Sequence, residues 1–360
     1  MNILNILYTF NPGGVERLAI DVCNEMARTG NNVHLCVISD NYTESLLAQL
    51  RSSVVQHRLT KATRMRKLSY LKQVLQIIDH DKIEAVHIHQ GTLMPFYTVV
   101  KLLRPKVRFY FTSHATYIFS ELSPKNQRLC RMVCNKIIAI SDAVEDDILS
   151  CGVGSSHVSR VYNGVNFSKF PLFNRRTEAG RILEIVNVAR FTPEVKGQDI
   201  LIKAAAILQK RGYKFHLSFA GGEITSEGQE IPKMKSLAQE LGVAEHISFL
   251  GNVTDVYGLL KKADLFCIPS RCEGFGISAV EAMGTGLPCV ASDIVGLNEV
   301  VNDPALGLLF EADHAEDLAD KLETMINHIH DYSPVEIAEN VRSRFSIESM
   351  ASDLLAVYRS

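Results

Sequence analysis

Glu273 and Glu281 are two carboxylates with seven residues between them, in the stretch EGFGISAVEAMGTGLPCVASD that runs from Glu273 to Asp293. Gly274 and Gly276 flank Phe275 and leave peptide N–H groups unobstructed beside a helix-forming run. A carboxylate on so bare a loop can accept hydrogen bonds from a sugar hydroxyl, and a second carboxylate two turns along a helix can take another pair. Either residue alone has an ordinary account, as a helix-start acid or a solvated helix glutamate. Upstream, NVARFTPEVKGQD places Arg190 at the end of an apolar run and Lys196 six residues on, before a helical segment. Two cations at a strand-to-helix junction suit a diphosphate, although a solvated basic pair has the same pattern. FNPGGVER sets Gly13 and Gly14 between the first apolar run and the first helix, where backbone N–H groups can approach a phosphate or simply turn. A dinucleotide fingerprint would be G-x-G-x-x-G. Val15, Glu16 and Arg17 stand where small residues are expected, which leaves Asp40, after the second apolar run, as the support for a dehydrogenase reading.

The elements that must carry these residues alternate along the chain. ILNILYTF precedes a helical stretch from Gly14 to Thr29, NVHLCVIS follows, and helices run to about His80. IEAVHIH, RFYFTSH, KIIAIS and VSRVYNG continue as short, nearly all-apolar runs, the pattern of parallel strands buried on both faces. The pattern breaks in NGVNFSKFPLFNRRTEAGR and then resumes with ILEIVNVAR, QDILIKAAAILQKRG, FHLSFAGG, IPKMKSLAQELG, ISFLG, LLKKA, DLFCIPS, a helix near 278–284, PCVAS and a helix near 315–329. SIESMASDLLAVYR closes the chain as an amphipathic helix with a serine at its start. The expectation is an α/β protein of two doubly wound, Rossmann-like domains, 1–170 and 171–345, with a final helix over 346–360. Ligands would bind in a central cleft faced by the carboxyl ends of the strands.

With 360 residues, 46% hydrophobic, the chain is long enough for two such cores. The net charge of −2 argues against a nucleic-acid partner, and no apolar run reaches the length of a membrane span. MNILNILYTF has no preceding cation and no cleavage site after it, so it reads as a strand rather than a signal peptide. Eight scattered cysteines fit free thiols in a reducing cytoplasm, with Cys130 and Cys134 read as core packing. The small net charge hides an asymmetry: residues 1–170 carry 20 Lys/Arg against 13 Asp/Glu, and residues 171–360 carry 18 against 27. Arg51, Arg58, Lys61, Arg64, Arg66, Lys67 and Lys72 fall in a stretch, Ser45–Ile78, without a single acid, and KLLRPKVR at 101–108 adds four more cations. A basic first half suits an anionic membrane surface as well as water. Asp79, His80 and Asp81 read as a solvated turn, DAVEDD at 142–147 as an acidic helix start, and no metal ligands are assigned.

These residues together resemble the family-4 retaining glycosyltransferases of the GT-B fold, of the kind that build bacterial surface polysaccharide. The resemblance spans nearly the whole chain. It rests on GGVER, SH at 113–114, IIAIS and NGVN at 163–166. In the second half it rests on VARFTPEVKG, FAGG, ISFLGNV, ADLFCIPSRCEGFGISAVEAMGTGLPCVASD and GLLF. It implies transfer of a hexose-type sugar, with retained configuration, from a nucleotide sugar (UDP-linked by the habit of the family) to a glycan or lipid-linked acceptor. It implies neither metal nor separate cofactor. Arg190 and Lys196 would hold the diphosphate, Glu281 the ribose, and Glu273 the donor-sugar hydroxyls beside the backbone of Gly274, Phe275 and Gly276. His114 would reach the donor sugar, Asn252 would line the base, and Gly13 and Gly14 would approach phosphate or acceptor. The final helix would cross back onto the first domain. A nucleotide-sugar epimerase, or a non-catalytic sugar-nucleotide binder, remains the alternative on the same architecture.

Overall fold

The computed structural model describes residues 1–59, 66–173, 182–223 and 228–360. Lys61 and Arg64 of the basic stretch lie outside these, as does the NRRTEAGR part of the turn-rich break. The described chain forms two compact units, one of Met1–Asn166 with Phe345–Ser360, the other of Phe167–Arg344.

The first unit is built on β1 (Asn2–Leu7), α1 (Gly14–Arg28), β2 (Asn32–Val37), α2 (Glu44–Leu47), β3 (Val55–Arg58), α3 (Arg66–His80), β4 (Ala85–Ile88), α4 (Met94–Leu103), β5 (Arg108–Ser113), α5 (Pro124–Val133), β6 (Lys136–Ala139), α6 (Asp142–Ser150) and β7 (Val158–Arg160). Its seven strands are all parallel, in the order β3-β2-β1-β4-β5-β6-β7. Apolar residues fill both faces of the inner strands, and helices must cover them. α1 does so with Leu18, Val22, Cys23 and Met26, spaced to share one face.

The second unit holds β8 (Leu183–Val188), α7 (Pro193–Lys196), α8 (Gln198–Lys210), β9 (Phe215–Ala220), α9 (Glu230–Glu240), β10 (Ile247–Phe249), α10 (Val256–Leu260), β11 (Leu265–Ile268), α11 (Ile277–Gly284), β12 (Cys289–Ser292), β13 (Gly307–Phe310), α12 (Ala315–Asn327) and most of α13 (Pro334–Phe345). Six parallel strands run in the order β10-β9-β8-β11-β12-β13. The last helix, α14 (Ile347–Arg359), belongs to the first unit. Ile347, Met350, Leu354, Leu355 and Tyr358 enter that unit's core. The NGVN turn seats it: Val165 N–H donates to Phe345 O, Ile347 N–H donates to Val165 O, and Ser346 caps the helix by accepting from Ser349 N–H. A Cβ on Gly164 would stand 2.7 Å from Ser346 O, so only glycine allows this approach.

Two expectations change. The segment read as helical up to His80 contains β3, whose VQHR is mostly exposed; an edge strand needs no apolar run to pair with β2. The acidic turn after α3 is not solvated throughout. Asp79 and His80 are exposed, and Asp79 pairs with Arg104, but Asp81 turns inward against His34 and His57.

Candidate active site

In a doubly wound sheet, ligands gather where the strand order reverses, because the loops on either side diverge and leave a crevice. In the second unit that point lies between β8 and β11, and in the first between β1 and β4.

The loop after β8 carries Arg190, exposed, and then the single turn of α7 with Lys196 at its end. Gly197 follows at φ +66°, and a Cβ there would lie 1.9 Å from Pro269 O, so glycine is what lets this corner press onto the end of β11. The loop after β11 begins at that contact. Its Arg271 grips the corner: the guanidinium pairs bidentately with Asp199 at 2.8 and 2.9 Å, donates to Pro193 O at 2.7 Å and bonds Asp313. Arg271 N–H adds a bond to Val195 O. Burial alone would raise the Asp199 carboxyl, but the hydrogen bonds from Arg271 and Lys203 hold it below the ordinary carboxylate range. This brace brings Lys196 Nζ to 2.5 Å from Glu273 Oε1, across 77 residues of sequence. Both side chains are about 15% exposed: 15% and 14%. Ser270 Oγ, fully buried, donates to the same carboxylate oxygen at 3.1 Å.

Gly276 caps α11 in the left-handed region, and Glu281 sits part-buried within that helix. Phe275 is buried, so its ring is not open to a ligand. Asn252, exposed, follows β10. Its loop is tied to the end of β9 by the bond from Gly221 N–H to Gly251 O. Arg190, Lys196, Glu273, Asn252 and the start of α11 thus lie on loops at the carboxyl edge of one sheet.

The first unit presents Gly13 and Gly14 after β1, with the Glu16 carboxyl folded over Gly13: a Cβ there would lie 2.4 Å from Glu16 Oε2. Burial raises the Glu16 carboxyl above its usual value. Across the switch point stands a column of imidazoles. His87 of β4 accepts or donates to Tyr358 OH at Nδ1 and Thr112 Oγ1 at Nε2, each at 2.6 Å. His89, just past β4, packs on His87 with ring centroids 4.3 Å apart and bonds His114 Nε2 through Nδ1 at 2.8 Å. Burial pushes His87 down to about 3 and His114 to about 4, and lowers His89 as well, so all three rings are neutral near pH 7. Among the described residues His89 Nε2 and Asn5 Nδ2 have no hydrogen-bond partner, and both residues line a small cavity with Val15, Leu18, Met350 and Leu354.

The structure brings Lys196 and Glu273 together, places Arg190, Asn252, Gly274, Phe275, Gly276 and Glu281 in the same unit, and places Gly13, Gly14 and His114 in the first. The sequence reading did not single out His87, His89 and Tyr358 around His114, nor Ser270, Arg271 and Asp199 around Glu273. The H-x-H of IEAVHIH was a legible signal, since alternate strand residues point to one face. Ser270 and Arg271 carried none.

Two family models account for most of the chain: Glycosyltransferase Family 4 over residues 12–169 and Glycosyl transferases group 1 over residues 172–344. An uncharacterized glycosyltransferase of Haemophilus influenzae is 22% identical over 323 residues, 88% of this chain and 87% of that protein. Anabaena Alr3699/HepE, solved in complex with UDP, superposes with a TM-score of 0.85 at 20% identity, covering all of both chains. The lipopolysaccharide outer core galactosyltransferase WaaB, in its apo form, does so with a TM-score of 0.78 at 17% identity over 100% of this chain and 99% of that one. Both halves match glycosyltransferase models in order, and whole-chain structural neighbours share both sheets: the chain belongs to the family-4 glycosyltransferases of the GT-B fold.

Proposed function

We propose that this glycosyltransferase moves a hexose-type sugar from a uridine diphosphate sugar to a hydroxyl of a glycan or lipid-linked acceptor, with retention at the anomeric carbon. The observation that carries this reading is the Lys196–Glu273 contact at the strand-order reversal, with Arg190 on the same loop as the lysine. In the reaction the bond from C1 of the donor sugar to the diphosphate oxygen breaks, and the electron pair leaves with the nucleoside diphosphate. The acceptor oxygen forms the new bond to C1, and its proton passes to the departing phosphate or to solvent. Charge that develops on phosphate oxygens is stabilised by cations already in place. Lys196 has three donors and spends one on Glu273, which holds the ammonium in position and leaves the others for phosphate. Arg190 offers a planar fork. Glu273 takes sugar hydroxyls, with the Gly274, Phe275 and Gly276 backbone beside it. Glu281 takes the ribose, and Asn252 lines the base. These cations supply the electrostatics that a metal supplies elsewhere, so the transfer is assigned as metal-independent. His114 is assigned to a donor-sugar hydroxyl as a neutral imidazole oriented by His89. The Glu16 carboxyl over Gly13 favours a hydroxyl-bearing acceptor there rather than a phosphate.

UDP is supported by the complex of HepE, and a role in lipopolysaccharide or related surface polysaccharide (O-antigen, capsule) by WaaB. Peripheral docking on the inner face of the plasma membrane is supported by the excess of Lys and Arg in the first half of the sequence and by the exposed Leu68 of α3 and Val99, Leu102 and Leu103 of α4. Arg58 on β3 and Arg104 just after α4 are already paired with Glu44 and Asp79, which weakens the basic face. Among the described residues no helix is long and apolar enough to cross a membrane. The test is a panel of nucleotide sugars incubated with and without glycan and lipid-linked acceptors, with the anomeric configuration of the product read by NMR. Acceptor-dependent transfer with retention supports the proposal. Donor conversion without acceptor would identify an epimerase, and binding without turnover a sugar-nucleotide receptor.

A further inference from the structure

The three side chains that meet where α3 returns to the sheet make a second, separate centre. His34 lies on β2, His57 on β3, and Asp81 in the turn after α3. His34 Nδ1 is 3.0 Å from His57 Nε2, and each is 3.5 Å from Asp81 Oδ2. These distances straddle the edge of a tetrahedron drawn around a zinc ion, about 3.3 Å for metal–ligand bonds of 2.0–2.1 Å. They fit a hydrogen-bond network less well. The ring pair makes one bond, but 3.5 Å is at the limit for the carboxylate, whose other oxygen bonds His80 Nδ1 at 2.7 Å. His34 is buried, and His57 and Asp81 are mostly so.

We infer that His34 Nδ1, His57 Nε2 and Asp81 Oδ2 form a binding site for a divalent transition-metal ion of the zinc class, with water as the fourth ligand and His80 orienting the carboxylate. Two imidazoles and a carboxylate at tetrahedral spacing select Zn2+ over Mg2+ or Ca2+, which prefer oxygen donors in larger shells. The site is not the reaction centre. Asn2, the first residue of β1, bonds Asp81 O through its side chain, which places the cluster at the end where the strands begin. Gly13 and His114 lie past the opposite ends of β1 and β5. Bound there, the metal cross-links the edge strand β3 to β2 and to the end of α3, a structural clamp that does not depend on the proposed donor or acceptor.

The experiment uses the full-length chain, stripped with chelator and titrated with Zn2+ by calorimetry and with Co2+ by visible absorption. One tetrahedral ion per chain is expected. His57→Gln and Asp81→Asn should each weaken binding on the order of 100-fold and abolish the Co2+ spectrum, while His328→Gln, at an exposed histidine of the other unit, should change neither. Far-UV circular dichroism checks that the variants fold. Should His57→Gln fail to fold, Asp81→Asn, in a turn, carries the test. Absence of stoichiometric binding by the wild type, or equal binding by folded His57→Gln and Asp81→Asn, overturns the site. Neither result bears on glycosyl transfer, which is measured separately.

Discussion

Lowering the pH from 7 to 5 should loosen the first unit through its imidazole column. His87 is 2% exposed, and burial holds its ring down to about 3. In the unfolded chain it titrates near 6.5. As pH falls, the unfolded state therefore takes up a proton that the folded state refuses. The stability from this residue is fully present above about 6.5 and is lost as pH falls toward 3. Between pH 7 and 5 the loss is about 2 kcal/mol for His87 alone. His89 and His114 act in the same direction, because burial holds their rings low as well. His34 and His57 are also held low, so the acid sensitivity of the wild type belongs to several residues. The His87→Gln variant isolates one of them. Hydrogen exchange of peptides spanning 85–89 and 108–114, corrected for the intrinsic pH effect, should show the variant losing about 2 kcal/mol less protection than wild type between pH 7 and 5. The His87 ring should show no NMR titration in that range. A ring that titrates near 6.5, or equal losses in both proteins, would refute the account.

Four further outcomes are expected. Arg190→Ala and Lys196→Ala should each lower kcat on the order of 10²-fold with folding nearly intact, as loss of transition-state charge stabilisation does; wild-type rates in both would end the diphosphate assignment. Glu281→Ala should mainly weaken nucleoside diphosphate binding in calorimetry, and Glu273→Ala should mainly lower turnover, because in the proposed reaction one would contact a remote ribose and the other the reacting sugar; unchanged UDP affinity in Glu281→Ala would remove the ribose role. Turnover should survive excess EDTA even if the melting temperature falls as the β3 clamp is stripped, and loss of activity restored by Mg2+ or Mn2+ would contradict metal-independent transfer. Vesicle co-sedimentation should require anionic lipid, fall with salt and drop when Arg64, Arg66 and Lys67 are changed to Ser, at about 1 kcal/mol per cation near the surface; equal sedimentation with neutral vesicles, or none, would leave the basic half solvated.

The chemistry legible in the sequence was the chemistry carried on single loops. Arg190 and Lys196 share the segment after β8, and Glu273, Gly274, Gly276 and Glu281 share the segment after β11, so local spacing alone placed each set at a strand-to-helix junction. What joined the two sets was not local. Lys196 meets Glu273 because β8 and β11 are neighbours at the reversal of strand order, and Gly197 and Arg271 close the remaining distance. Alternation of strand and helix predicts that ligands meet the strand ends; it does not say which two loops face each other. His34, His57 and Asp81 show the same limit more sharply. Each comes from a different element, one of them an exposed edge strand without an apolar run, and their separations in sequence match no metal motif. Parallel pairing of β2 with β3 and the return of α3 create their proximity, so a ligand set of this kind becomes visible only once the sheet is assembled. The same physics explains why the second unit yielded its candidate residues more readily than the first. Its loops hold short runs of functional types, whereas the column behind His114 draws on β4, β5 and α14, and Tyr358 reaches His87 across 271 residues.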